Sequence, residues 1–320
     1  MRIGFIGCGW IGNEHMKRVS KIEGVEISCI CDIDGDKAKI ACEKYGGKPY
    51  TDYRKMLDEV EIDACYICVP PFAHKDQEIL CIEKNIPFFV EKPVHIDLEK
   101  AKEIAEKIEE RKLITCVGYQ DRYQRIIEYI KPFFKENNLG FFTGWWVNGI
   151  PQAWWWRKKE LSGGQIVEQT THIFDMARYL VGEPVEVFAV KRKGIVKMEG
   201  YNIEDASGVS IYFENGVFGI IFSGCFMKNA GKAGLDFYFS DKIIEYQERR
   251  SVKINYGNKI EEIYETEDLI MAEDKSFIEA IKKKDPSLIK SSYKDGVKTL
   301  AFTIAANKSM ESGKVEKVRV

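Results

Sequence analysis

Short, nearly unbroken apolar runs alternate with amphipathic stretches through the first 120 residues. The runs 2–7, 25–31, 64–69, 87–90 and 114–118 are short and unbroken, and turn-forming residues bound them, which predicts strands. Between them, 11–21, 36–45, 74–84 and 98–112 place apolar residues at helical spacing, and 52–57 predicts a shorter helix. Strands apolar on both faces, separated by such helices, belong to a parallel sheet covered on both sides. That is a doubly wound α/β domain, whose ligand lies at the carboxyl ends of the strands.

The rhythm changes near Asp121. A predicted helix over 123–135 leads into an aromatic, β-branched run at 141–148. After the segment 163–180 come strand-like runs without intervening helices: 185–190, 206–213, 217–225, 235–239, 242–246 and 252–256. Asn215-Gly216 is a hairpin signal between two of them. Two helices, 268–283 and 292–312, close the chain. Strands followed by helices predict an α+β second domain on a largely antiparallel open sheet. The expected division is therefore 1–120 and 121–320.

Charge narrows the field. Lys and Arg number 48 against 50 Asp and Glu, a net charge of −2, which offers no electrostatic footing for nucleic acid or an anionic membrane. No apolar stretch has the length of a membrane span and the N-terminus already reads as a strand, so the cytoplasm is the expected compartment. The nine cysteines fit it: Cys29, Cys31, Cys65, Cys68 and Cys116 lie in strand-like runs as small hydrophobes. Cys65 and Cys68 point to opposite faces of one strand, and no second pair completes a metal site, so no metal is expected.

The first strand runs into Gly7, Gly9, Trp10, Ile11 and Gly12, a G-x-G-x-x-G turn opening a helix, and Asp32 ends the next strand twenty positions on. Gly7 permits the tight turn, Gly9 close approach of a pyrophosphate, and Gly12 close packing of helix on strand. The helix N-terminus offers free N–H groups to the phosphates, and Asp32 is placed to accept from a ribose diol. Strand, helix and acid together predict a dinucleotide site, with NAD favoured over NADP because Asp32 repels a 2′-phosphate.

Three further segments carry chemistry. Glu91-Lys92-Pro93 follows a strand at the ligand edge, where Pro93 holds Lys92 extended; the plain alternative is a surface lysine in a turn. Ser162 reads as the N-cap of a helix ending before Gly182, on which Glu168, His172 and Asp175 share a face. A carboxylate one turn before a histidine can orient its ring, although the same face also reads as a solvated polar stripe. Pro70-Pro71 stiffens a loop beside the cofactor site, and His74 reads either as a helix-start hydrogen-bonder or as a contact to the cofactor. Trp154-Trp155-Trp156-Arg157 could stack on a sugar and bond a hydroxyl, or could pack as core aromatics. His15 and His95 acquire no role from sequence.

Taken in order, Gly7 to Gly12, Pro70-Pro71 with His74, Glu91-Lys92-Pro93, Gly118-Tyr119 with Arg122-Tyr123, and Gly163-Gly164 leading to His172 and Asp175 resemble the Gfo/Idh/MocA family, over nearly the whole chain. The resemblance implies a Rossmann domain, a second domain whose open sheet mediates homodimers or homotetramers, and NAD(P)-linked chemistry on sugars, cyclitols or related polyols. It implies Lys92 and His172 as the catalytic pair. Glu168 stands where many members carry aspartate, which shifts the carboxylate by one methylene. Pro70, His74 and Glu91 join the cofactor contacts, and Lys92, Arg157, Glu168 and His172 the substrate contacts. Two rivals stand beside a dehydrogenase: a glycosidase using NAD for transient oxidation, and a non-catalytic NAD-responsive binding protein.

Overall fold

The computed structural model describes residues 1–136 and 138–320. In chain order its first part carries β1 (Arg2–Ile6), α1 (Trp10–Val19), β2 (Glu26–Cys31), α2 (Gly35–Tyr45), β3 (Lys48–Tyr50), α3 (Tyr53–Glu59), β4 (Ala64–Ile67), α4 (Gln77–Glu83), β5 (Phe88–Val90), α5 (Leu98–Arg111) and β6 (Thr115–Val117). Asp34 and Asp97 cap α2 and α5, each accepting from two first-turn N–H groups, which stabilises a helix start by about 1 kcal/mol. The six strands form one parallel sheet in the order β3-β2-β1-β4-β5-β6. Strand order reverses between β1 and β4, and a crevice opens there at the carboxyl ends. Strand β3 escapes the hydrophobic pattern: it is three residues long, holds Pro49 and pairs only with β2.

The chain continues with α6 (Arg125–Ile130), β7 (Leu139–Gly149), α7 (Lys159–Ser162), α8 (Thr171–Val181), β8 (Pro184–Arg192), β9 (Ala206–Phe213), β10 (Phe218–Met227), β11 (Lys232–Phe239), β12 (Ile243–Gln247), β13 (Ser251–Asn255), β14 (Ile260–Tyr264), α9 (Leu269–Lys283), α10 (Tyr293–Ser312) and β15 (Glu316–Lys317). The second sheet has nine strands in the order β14-β13-β12-β11-β7-β10-β9-β8-β15, antiparallel except where β7 meets β10. Its inner face packs Phe142, Ile221 and Phe237 with Ile173, Phe174 and Ala177 of α8. Its outer face leaves Phe141, Tyr212, Phe218 and Phe222 exposed. β14 shows no fully buried position, so it leaves no apolar run in the sequence.

Two expected helices are interrupted. The 123–135 segment is α6 flanked by 3-10 turns, with Pro132 at the start of the second, where it cannot donate an N–H. Ser162 ends α7 rather than capping a long helix; Gly163 turns the chain at φ +76°, and a π turn over Ile166–Thr170 leads into α8. Gly182 does close α8.

The chain divides into two compact units, Met1–Gln120 with Asp268–Val297, and Asp121–Glu267 with Lys298–Val320. Assigning all of 121–320 to the second domain is therefore incorrect for 268–297. The reason is apolar: α9 buries Phe277 and Ile278 in the core that holds Ile3, Phe5 and Tyr66.

Candidate active site

In the first unit the glycine turn is sterically compulsory. Gly7 has φ +101°, and a Cβ there would lie 2.4 Å from the Cys68 carbonyl oxygen. A Cβ on Gly12 would sit 2.3 Å from the Gly7 carbonyl oxygen, which is how α1 comes so close to the loop. Gly9 is the N-cap of α1, and its side-chain position is open space. No side chain caps that end and its first turn holds no acid, so the N–H groups there suit a phosphate. Asp32 Oδ2 accepts from the Cys8 N–H at 2.8 Å and Oδ1 from the Asp34 N–H at 3.0 Å. Trp10 is exposed beside this loop and Ile11 is half-buried.

Lys92 leaves β5 half-buried, with its N–H donating to Glu91 Oε2 at 3.0 Å. Glu91 itself is buried, and Oε1 lies 3.1 Å from His15 Nε2. Both oxygens of this expected cofactor contact thus meet groups of the protein itself. His15 Nδ1 in turn meets Asp274 Oδ1 at 2.7 Å. Burial opposes charge on His15, yet Asp274 and Glu91 outweigh it and hold the imidazolium well above its usual range. Gly118 completes the wall, since a Cβ there would lie 2.7 Å from Glu91 Oε1. His15, Glu91 and Glu273 each present one ligand-type atom within 4.8 Å of the others, but both nitrogens of His15 already face carboxylates.

Pro70 precedes a 3-10 turn at the end of β4's loop. His74 Nδ1 lies 2.5 Å from Glu78 Oε1, both side chains almost wholly buried, and this makes His74 a brace for α4 in place of a cofactor contact. His95 accepts the Asp97 N–H through Nδ1 at 2.8 Å, and burial pushes its pKa down.

In the second unit His172 is buried on α8. Trp146 of β7 stacks on its ring, centroids 5.6 Å apart and planes 27° from parallel. Asp121 Oδ2 lies 3.6 Å from Nδ1, and Arg249 Nη2 lies 3.5 Å from Nε2. A guanidinium only donates, so the Arg249 contact suits a neutral ring with Nε2 as acceptor and the proton on Nδ1, the nitrogen that faces Asp121. Arg249 Nε donates to Asp121 Oδ1 at 2.6 Å, with Glu248 Oε1 2.7 Å from the same nitrogen. Burial, with Asp121 adding to it, pushes the Glu248 carboxyl up to about 8.

Glu168 is buried in the π turn that precedes the helix carrying His172. The carboxylate placed at the imidazole Nδ1 is Asp121. Asp175, on the same helix, is held by the Arg122 guanidinium at 2.6 and 2.7 Å and by the Thr299 hydroxyl at 2.7 Å, a structural assignment. Arg157, expected at the substrate, spends Nε and Nη2 on the Pro151 and Gln152 carbonyls. Sequence reasoning missed His15, Asp121 and Arg249. Asp121 lay between Gly118-Tyr119 and Arg122, a segment already singled out; Arg249 had no signal, being a hairpin residue at φ +56°.

The fold and these two residue sets define a dinucleotide-dependent oxidoreductase. Residues 1–119 match the oxidoreductase family with an NAD-binding Rossmann fold, and residues 139–244 match the GFO/IDH/MocA C-terminal domain. The chain belongs to the Gfo/Idh/MocA family. It is 26% identical to the myo-inositol 2-dehydrogenase of Thermotoga maritima, over 99% of each chain. It is 29% identical to the scyllo-inositol 2-dehydrogenase (NAD(+)) of Bacillus subtilis, over 68% of this chain and 66% of that one. Among solved structures it resembles levoglucosan dehydrogenase in complex with NADH and levoglucosan, with TM-score 0.88, 18% identity and full coverage of both chains. The glycine turn, the uncapped α1 terminus and the immobilised Asp32 carboxylate fit NAD, and no helix among the described residues is long and apolar enough to cross a membrane.

Proposed function

We propose that this NAD-dependent oxidoreductase interconverts a hydroxyl and a carbonyl on a sugar, cyclitol or related polyol. The observation that carries the reading is His172, whose Nε2 lone pair is presented while its Nδ1 proton faces Asp121. In oxidation, Nε2 takes the hydroxyl proton, and Lys92 is assigned by the family resemblance to stabilise the charge that develops on oxygen. Bound NAD supplies the hydride acceptor. At 3.5 Å the Arg249 contact is a long one, so a substrate hydroxyl can take its place at Nε2. Glu168, one turn away in sequence, acts as a substrate contact. The inositol dehydrogenases among the relatives support this substrate class.

The test is NADH formation over a panel of cyclitols and sugars, with Lys92→Met beside the wild type. Lys92→Met should fold and bind NAD while turnover falls roughly 10²-fold. Near-normal turnover returns Lys92 to a surface role. Glycoside cleavage without net NADH favours the transient-oxidation reading instead.

We also read the exposed face of the second sheet as a self-association surface pairing with a second copy. Phe141 stacks on Phe218 and Tyr238 there, centroids 5.7 and 4.5 Å apart, a ladder of aromatic rings on a solvent-facing sheet. Light scattering should give a dimer or tetramer, and Phe218→Lys should reduce it to monomer.

A further inference from the structure

The end of β7, the loop after it and the π turn line a half-open cavity of about 310 Å³ within the second unit. Its side-chain walls include Trp146, Asn148, Gln152, Trp156, Gln165 and Gln169. None of these ionises. Trp146 also stacks on His172, so the cavity adjoins the proton acceptor. The Trp156 indole N–H donates to Gln165 Oε1 at 3.1 Å, which fixes one ring against one amide. The cations nearby are committed elsewhere: Arg157 to the Pro151 and Gln152 carbonyls, Lys159 to Glu204 at 2.8 Å, and Arg249, beside His172, to Asp121 and Glu248 at 2.6 and 2.7 Å.

From this lining we infer that the cavity holds the body of the substrate and selects an uncharged, polyhydroxylated ring over its phosphorylated or carboxylated counterparts. The inference rests on the polyol dehydrogenase reading above and narrows it. Indole rings offer flat apolar surface to the C–H face of such a ring. Carboxamides both donate and accept, which matches hydroxyls that do the same. A phosphate or carboxylate entering here loses its water and meets no cation among the lining side chains, a large penalty. The volume lies near the lower end of the range of about 300–1,000 Å³ for ligand pockets, which suits one ring and not a nucleotide-linked sugar.

The experiment uses the full-length protein with saturating NAD. Binding is read by calorimetry and turnover by NADH formation, for neutral cyclitols and hexoses against hexose phosphates and uronates. Neutral rings should bind and turn over, with ionised analogues at least tenfold weaker in kcat/KM. Gln169→Leu should raise KM for the neutral substrate roughly three- to tenfold with little change in kcat. Trp156→Phe, which loses the hydrogen bond to Gln165, should do the same. Tighter binding of phosphates or uronates, or an unchanged KM in both variants, overturns the inference. Neutral rings that bind without any turnover keep the subsite and sink the dehydrogenase reading. Preferential turnover of ionised sugars does the reverse, and failure of every neutral ring to bind ends both.

Discussion

Replacing His15 with leucine should destabilise the first unit more than any change at its surface. His15 is fully buried, as is Asp274, and Glu91 is 6% exposed, so the imidazolium is the shared counter-ion of two carboxylates that water barely reaches. Removing one member of a buried ion pair costs about 3–5 kcal/mol, because the partner charge stays behind. Protonation of the orphaned carboxylates limits the loss, so the lower half of that range is the expectation. In a domain of this size it lowers Tm by roughly 10 °C. The double variant His15→Leu/Asp274→Leu should recover part of the loss, since one orphaned charge is gone. The pH dependence has a definite sign. The folded pKa of His15 is raised from its ordinary 6.5, so its contribution is complete below that value and is lost as pH rises through the folded one. Asp274 is raised too, by burial, with His15 pulling against it, and it acts in the same direction. Urea unfolding of apo protein across pH 6 to 9 measures both effects: wild type should lose stability toward the alkaline end, and the double variant should lose less. A His15→Leu loss below about 1 kcal/mol, no more than one ordinary hydrogen bond, would refute the ion-pair account. So would a wild type that gains stability as pH rises.

Three further outcomes follow from the sites. Asp32→Ser should narrow the preference for NAD over NADP, because the carboxylate fixed by the Cys8 and Asp34 N–H groups repels a 2′-phosphate; tighter NADP binding by the wild type, read by fluorescence titration, would contradict this. His172→Asn should leave NAD affinity intact, lower kcat strongly and erase the alkaline-rising limb of the oxidation rate; persistence of that limb assigns the base to another group. Asp121→Asn keeps the shape but removes the charge facing Nδ1 and Arg249, and kcat should fall about tenfold to a hundredfold at unchanged NAD affinity; an unaltered kcat and pH profile would make Asp121 purely structural.

What the sequence disclosed and what it withheld follow a physical division. The glycine turn and the places of Asp32 and Lys92 just after strand ends were legible because they depend on neighbours within one βα unit: a turn needing positive φ, a helix start, a strand end. All fifteen residues of α9 were placed in a helix by their periodicity, but nothing local says which core it joins. Its Phe277 and Asp274 belong with β1 and His15, a pairing 259 residues apart in sequence. His172 shows the same limit at closer range. Helical spacing pointed to Glu168, and that inference assumed an unbroken α-helix. A π turn over Ile166–Thr170 interrupts that helix. Spacing also gave no sign of Asp121, 3.6 Å from Nδ1, or of Arg249, 77 residues from His172 on a hairpin. His172, the proposed proton acceptor, therefore sits on the regular helix, while two charged groups that face its ring arrive from loops whose positions only the folded sheet defines. Substitutions in such loops can retune the imidazole without touching the motif that reveals it.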